Sequence, residues 1–212
     1  MKMKLDHDYL KYYTITDKSV LIDLGATNGE FIFINKDTIL KTDAFVVNVE
    51  PVAEQYSRMA DWINHNMPNN AIVLSTGVWK ENTCLTLNVT DNVWCNMFEI
   101  HGHDVSAVAS TVRSSAAPVI TLDTVIEIAG GKIDFLKADI EGAELEVFEN
   151  CKNLDKIANF AIASYHIRDN VKTYIRLQKF FETKGYKTKH EFIPFDGFMP
   201  YDMLYCSKEV KW

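Results

Sequence analysis

The sequence lacks any apolar run near the ~20 residues that a membrane-spanning helix needs, and it contains no internal repeat or low-complexity tract. Its four cysteines, Cys84, Cys95, Cys151 and Cys206, have neither CxxC spacing nor dense pairing. No charged, then apolar, then small-residue leader precedes Lys18, and together these features point to a reducing, cytoplasmic setting. No basic patch offsets the formal charge of -7, so a nucleic-acid partner is not expected, because like charge repels a polyphosphate backbone. What is present is ordinary globular material. With 212 residues, 47% hydrophobic and 24% charged, the chain suits one domain, 1–212, around one substantial core. Nothing in the sequence specifies an oligomeric state.

Apolar runs of strand length alternate with amphipathic stretches of helical length, which is an α/β pattern. Strands are expected at Val20–Leu24, Ala44–Val49, Ala71–Ser75, Ile133–Ala138, Phe160–Tyr165, Lys187–Ile193 and Asp202–Cys206. Helices are expected at Asn28–Ile34, Ala53–Asn64, Ala143–Asn150 and Val171–Lys184, the last stopped by Gly185. The final two strands follow each other without a helix, so one of them should run antiparallel. The segment 84–118 breaks the rhythm: "TCLTLNV" alternates like a hairpin strand, whereas "SAVASTVRSSAAP" is small, polar and expected to be mobile.

The stretch "VLIDLGATNGEF", residues 20–31, runs a buried strand into a glycine turn and on into a helix. A dinucleotide fingerprint requires Gly-x-Gly-x-x-Gly, but Thr27 occupies the second glycine's place. A phosphate-cradling Gly-Lys-Ser/Thr loop is also missing, and Asp23 and Glu30 would repel phosphate. The turn suits a ligand with a positive amino group. Glu50 in "FVVNVEP" follows about 20 residues later, where a carboxylate accepts hydrogen bonds from ribose hydroxyls. S-adenosyl-L-methionine combines a ribose with a cationic amino-acid arm. Taken singly, the glycine turn is also a plain strand-to-helix turn and Glu50 a solvated acid.

In "IDFLKADIEGAELEVFENC", residues 133–151, a buried strand delivers Lys137, Asp139 and Glu141 to its carboxyl edge. With "DLGATNGEF", "VVNVEP", "STGVW" and "ASYHI", this arrangement resembles the FkbM family of S-adenosylmethionine-dependent methyltransferases over residues 18–207, "KADIEGAE" being its most specific piece. The resemblance implies a class I, Rossmann-like fold: a seven-stranded, mostly parallel sheet with an antiparallel last strand and helices on both faces. It implies that Asp23, Gly25, Ala26, Asn28 and Gly29 line the methionine arm, with Asp23 reaching the ammonium directly or through water. Glu50 would hold the ribose. Gly77, Val78 and Trp79 would flank the adenine, with Trp79 equally suited to the core. Asp139, followed by Glu141, would stand between cofactor and acceptor, although both acids would also serve as caps for the helix that follows.

Methyl transfer requires a base for the acceptor's proton. His166 ends "FAIASYH" at the carboxyl edge where α/β ligands bind, and is the first candidate; Asp139 is the second. Asp139 together with Asp169 and Asn170 is similar to the ligand placement of magnesium-dependent O-methyltransferases, which leaves Mg²⁺ open, while Asn170 alone also reads as an N-cap. The implied acceptor is a small hydroxylated molecule, a sugar, glycolipid or polyketide-like compound. The inserted hairpin 84–118, with His101, His103, Ser110 and Arg113, is expected to form a lid on the acceptor side. A nicotinamide-dependent oxidoreductase and a noncatalytic nucleoside-binding module remain as alternatives.

Overall fold

Strands enclosed on both faces must be apolar on both faces, and "VLIDL" and "IDFLKA" satisfy that requirement by running nearly unbroken. The computed structural model describes residues 9–92, 95–99, 110–194 and 200–209. In chain order the strands are β1 Val20–Leu24, β2 Phe45–Val49, β3 Ala71–Leu74, β4 Gly77–Trp79, β5 Thr83–Thr90, β6 Met97–Phe98, β7 Thr111–Thr121, β8 Ile133–Ala138, β9 Ile157–Ala163, β10 Ile167–Arg168, β11 Val171–Lys172, β12 Lys187–Ile193 and β13 Tyr201–Ser207. The helices are α1 Glu30–Lys41, α2 Ala53–Asn66, α3 Leu122–Ile128, α4 Glu144–Glu149 and α5 Thr173–Thr183.

Seven strands form the main sheet in the order β12-β13-β9-β8-β1-β2-β3. Strands β9, β8, β1, β2 and β3 are parallel, and β13 runs antiparallel to both β9 and β12. The expected sheet is therefore present, with β12 outermost and β1 inside. Alternate residues feed two cores. Leu21, Val46 and Phe135 meet Phe31 and Ile32 of α1 and Met59 and Ile63 of α2. On the other face Ile22, Val47 and Leu136 meet Val125 of α3, Phe148 of α4, and Leu177 and Phe181 of α5. Helices thus cover both faces, and burying these side chains at ~1.5–3 kcal/mol each supplies the main driving force. Among the described residues, no helix is long and apolar enough to cross a membrane.

Several local expectations change. Residues 111–118, read as a loose segment, belong to β7, which pairs with β5 through Cys84↔Pro118 and Asn88↔Ser114 in a four-stranded sheet β4-β7-β5-β6. Backbone pairing holds this ribbon while its side chains stay mostly exposed, so hydrophobic periodicity carries no signal there. Strand β9 ends at Ala163 rather than Tyr165, which frees Tyr165 and His166 from the sheet. The anticipated start of α5 at Val171 is instead a hairpin: Arg168 pairs with Val171 across Asp169 and Asn170, both left-handed at φ 51° and 62°. Two consecutive positive φ angles are the mark of a type I′ turn, for which Asp and Asn are suited.

The loops after β1 and β8 come together at Gly25. Its φ is +75°, and a Cβ built there would stand 1.8 Å from the Asp139 carbonyl oxygen. No L side chain fits without moving one loop. Gly25→Ala is therefore expected to cost more than ~2 kcal/mol in folding stability by urea denaturation; a loss below 0.5 kcal/mol, the range of an ordinary surface substitution, would show that the two loops are not tightly apposed.

Candidate active site

The parallel strands end side by side, so the residues just beyond β1, β2, β8 and β9 share one edge. Asp23, near the end of β1, is wholly enclosed. Its Oδ1 accepts from Lys137 Nζ at 2.7 Å, and the same ammonium reaches the Gly25 carbonyl at 3.1 Å. Burial raises the Asp23 carboxyl while Lys137 opposes the rise. Its second oxygen, Oδ2, is buried without a hydrogen-bond partner among the described residues. Such an atom is costly unless a donor fills the place, so the residue fits an ammonium or a water that mediates one.

The glycine loop is held inward. The amides of Gly25 and Ala26 both donate to the Val49 carbonyl at 3.1 Å, and Ala26 packs into the core with Phe31 and Met59. Gly29 is the left-handed N-cap of α1, leaving half-buried Thr27, Asn28 and Glu30 along the loop. Glu50 is 4% exposed and is no solvated surface acid. Its Oε2 accepts from the Thr27 amide and its Oε1 from the Val52 amide, both at 2.8 Å. Each oxygen keeps a second lone pair for a ligand hydroxyl. Burial raises the Glu50 carboxyl to about 7 against the pull of those two amides. Gly77, Val78 and Trp79 form β4: Val78 and Trp79 pack into the core, and a Cβ on Gly77 would meet the Phe98 ring at 2.4 Å.

Beyond β8, the acids divide their duties in a way the spacing did not reveal. Glu144, in the first turn of α4, accepts from the Ile140 amide at 3.2 Å and the Gly142 amide at 3.4 Å. It supplies the turn with the acceptor that had been considered for Asp139 and Glu141 as caps. Asp139 instead accepts from the Tyr9 hydroxyl at 2.8 Å. Glu141 sits in the left-handed region at φ 53°, a conformation that costs a non-glycine residue energy and is held here by its surroundings. Its Oε2 lies 3.5 Å from His166 Nε2, and Glu144 Oε1 lies 3.6 Å from His166 Nδ1.

His166 is buried. Burial alone would lower its pKa, but Glu144, Glu141 and Asp139 override it and raise the imidazole to about 9. It is an imidazolium at neutral pH. Burial raises Glu141 and Glu144 in turn, and His166 offsets the rise. The Tyr165 ring lies 4.3 Å from that of His166. Burial, then Glu141 and Asp139, hold the Cys95 thiol above its ordinary range.

Asp139, Glu141 and His166 are thus brought together, while Asp169 and Asn170 occupy an exposed hairpin turn. The Asp139, Asp169 and Asn170 set is not a ligand cluster among the described residues. Asp139, Glu141 and His166 do offer ligand atoms within 4.8 Å of one another, but an imidazole nitrogen in the set suits Mg²⁺, which takes oxygen ligands, poorly. Arg113 forms a two-pronged pair with Glu54 of α2 at 2.7 and 2.5 Å, the Ser110 amide donates to Asp91 at 2.9 Å, and His101 and His103 lie outside the described residues. Tyr9, Glu144 and Arg168 escaped the sequence reading. Arg168 grips Glu146 at 2.7 and 3.0 Å and the Gly142 carbonyl at 2.9 Å, fastening the β8 loop to the β10–β11 hairpin. Only Glu144 had a readable signal, an acid in the first turn of a helix.

A family profile for the methyltransferase FkbM domain matches residues 23–194. Among solved structures, methyltransferase FkbM from Methylobacillus flagellatus has a TM-score of 0.64 at 17% identity, covering 92% of this chain and 45% of that one. The chain therefore spans less than half of that protein's length. An rRNA methylase from Streptococcus thermophilus has a TM-score of 0.52 at 11% identity, covering 92% of this chain and 89% of that one. Fibrillarin from Aeropyrum pernix, in complex with natively bound S-adenosyl-L-methionine, has a TM-score of 0.54 at 13% identity, covering 90% of this chain and 67% of that one. At these identities the likeness is one of fold, which is the class I methyltransferase fold. No curated protein matches the chain.

The electrostatics of His166 are directly measurable. Its ring should titrate by NMR near 9, and Glu141→Gln should move that midpoint down. Because the folded value exceeds the ordinary 6.5, the charged ring stabilises the fold fully below pH 6.5, and that contribution fades as pH rises through about 9. A titration at or below 6.5 would contradict the acid cluster.

Proposed function

The chain belongs to the methyltransferase FkbM family, and on that premise we propose that it uses S-adenosyl-L-methionine to methylate a hydroxyl on a sugar, glycolipid or polyketide-like acceptor. When bound, this cofactor supplies an electrophilic methyl group on a sulfonium. The observation that carries the reading is the buried Oδ2 of Asp23, unpartnered among the described residues, which wants a donor at the glycine loop one strand away from Glu50. Asp23 takes the ammonium side, directly or through water, with Gly25, Ala26, Asn28 and Gly29 shaping the arm's path. Glu50 accepts from the ribose, and Gly77, Val78 and Trp79 stand at the adenine end.

On the acceptor side, Asp139 and Glu141 orient the hydroxyl, and His166 receives its proton once the ring itself is neutral. The acceptor-side lid that the sequence assigns to the hairpin 84–118 belongs to the same proposal. An RNA methylase shares the fold, so fold alone does not separate acceptor classes; the charge of -7 and the acids at the edge favour a small hydroxylated acceptor over a polyanion. A cytoplasmic setting fits the free cysteines, Cys84, Cys95, Cys151 and Cys206.

Incubation with methyl-labelled S-adenosylmethionine and a panel of hydroxylated sugars and glycolipids should give a product heavier by one methyl group. Binding of the cofactor without transfer to any acceptor would favour a noncatalytic module instead. Glu50→Ala should weaken cofactor binding by ~1.5–3 kcal/mol in calorimetry, and wild-type affinity should rise as pH passes about 7, where Glu50 ionises. Turnover should climb with pH toward about 9 as His166 loses its proton; a rate independent of pH across that range would remove His166 as the base.

A further inference from the structure

The family match begins at residue 23, yet a side chain well upstream reaches into the site. Tyr9 is 3% exposed. Its hydroxyl donates to Asp139 Oδ2 at 2.8 Å, and its ring lies 5.0 Å from Lys137 Nζ, which in turn holds Asp23 and the Gly25 carbonyl. One aromatic side chain therefore touches the acid of the β8 loop and covers the ammonium that ties β8 to the glycine loop.

The segment that carries Tyr9 is anchored without help from this hydroxyl. The Tyr13 ring stacks on Phe135 with centroids 4.8 Å apart, and the Tyr12 ring meets Tyr205 edge-on at 4.9 Å. Lys11 pairs with Glu191 at 2.5 Å, and the Tyr12 hydroxyl bonds the same carboxylate. Ile15 is buried in the same core as Phe135 and Tyr205. With attachment secured by those contacts, the Tyr9 O–H is left to act on Asp139. Burial, then the Asp139 carboxylate, push the phenol well above its ordinary range, so it remains a donor wherever the protein is folded.

We propose that Tyr9 is a positioning residue for methyl transfer, acting through Asp139 by fixing its carboxylate at the boundary between cofactor and acceptor. The proposal rests on the methyltransferase reading above. A hydrogen bond from Tyr9 restrains the carboxylate about its last torsion, and an acid that orients a nucleophile loses much of its effect when displaced by about 1 Å, of order 10²-fold in rate. Cofactor affinity depends mainly on other groups, so the effect should fall on the chemical step.

The test compares Tyr9→Phe, which keeps the ring over Lys137 and removes only the hydroxyl, with wild type and with Asp139→Asn. S-adenosylmethionine affinity by calorimetry should stay within about twofold, whereas kcat on the acceptor that wild type labels should fall about 10–100-fold, with acceptor KM moving less than kcat. The double variant should be no slower than Asp139→Asn alone, because both changes break one contact. Wild-type kcat in Tyr9→Phe, or losses that multiply in the double variant, would overturn the proposal. A second arm needs no turnover: backbone hydrogen exchange across residues 139–143 should quicken in Tyr9→Phe while β8 stays protected. Unchanged exchange there also overturns it. Should wild type label no acceptor, the methyltransferase reading fails, and the exchange arm still decides whether Tyr9 holds the loop.

Discussion

A single buried ammonium binds the two halves of the site together. Lys137 Nζ bonds Asp23 Oδ1 at 2.7 Å and the Gly25 carbonyl at 3.1 Å, so β8 is clamped to the turn that follows β1. The pair lies almost entirely out of water, with side-chain exposures of 7% and 0%. Removing either member of such a pair strands the other charge, at a cost of about 3–5 kcal/mol. At the same place the two loops meet backbone to backbone, the Asp139 amide donating to the Leu24 carbonyl at 3.0 Å and Gly25 left with no room for a Cβ. Tyr9 covers the ammonium from one side.

From that fixed point the charges sort into two zones. Along β1 and β2 the carboxylates of Asp23 and Glu50 are engaged by Lys137 and by the backbone amides of Thr27 and Val52. Among the described residues one Asp23 oxygen remains without a partner, where a cationic ligand group would be stabilised. Beyond β8 and β9, Asp139, Glu141 and Glu144 surround one histidine and hold it charged. Burial penalises each of these charges, and their mutual proximity recovers part of the penalty. Both zones therefore respond to pH, the first as Glu50 ionises at about 7 and the second as His166 loses its proton at about 9.

How far the sequence led depends on the range of the interaction in question. Strands β1 and β8 stand where hydrophobic patterning put them, because burial on both faces leaves a continuous apolar run. The neighbourhood of Asp139, Glu141 and His166 followed from one rule, that the ends of adjacent parallel strands share an edge. Their electrical state did not follow, since the raised His166 pKa comes from Glu144 and Glu141, whose orientation depends on the turn between them. Asn170 reads as a cap because the residues beyond it look helical, and with Asp169 it is similar to the ligand placement of magnesium-dependent O-methyltransferases; the left-handed pair instead turns a two-stranded hairpin. Strand β7 is exposed on most of its length and leaves no periodic trace. Tyr9 meets Asp139 across 130 residues of chain, a contact that no local pattern encodes.

The central claim is that one sheet edge binds the cofactor along β1 and β2 and directs its reactive end toward the acids beyond β8. A crystal structure with S-adenosylhomocysteine bound tests it most directly. Expected are ribose hydroxyls hydrogen-bonded to Glu50, the amino group satisfied at Asp23 Oδ2 directly or through one water, and the sulfur facing Asp139, Glu141 and His166. An adenosine moiety bound away from Glu50, or a sulfur turned from the Asp139–His166 side, would contradict it.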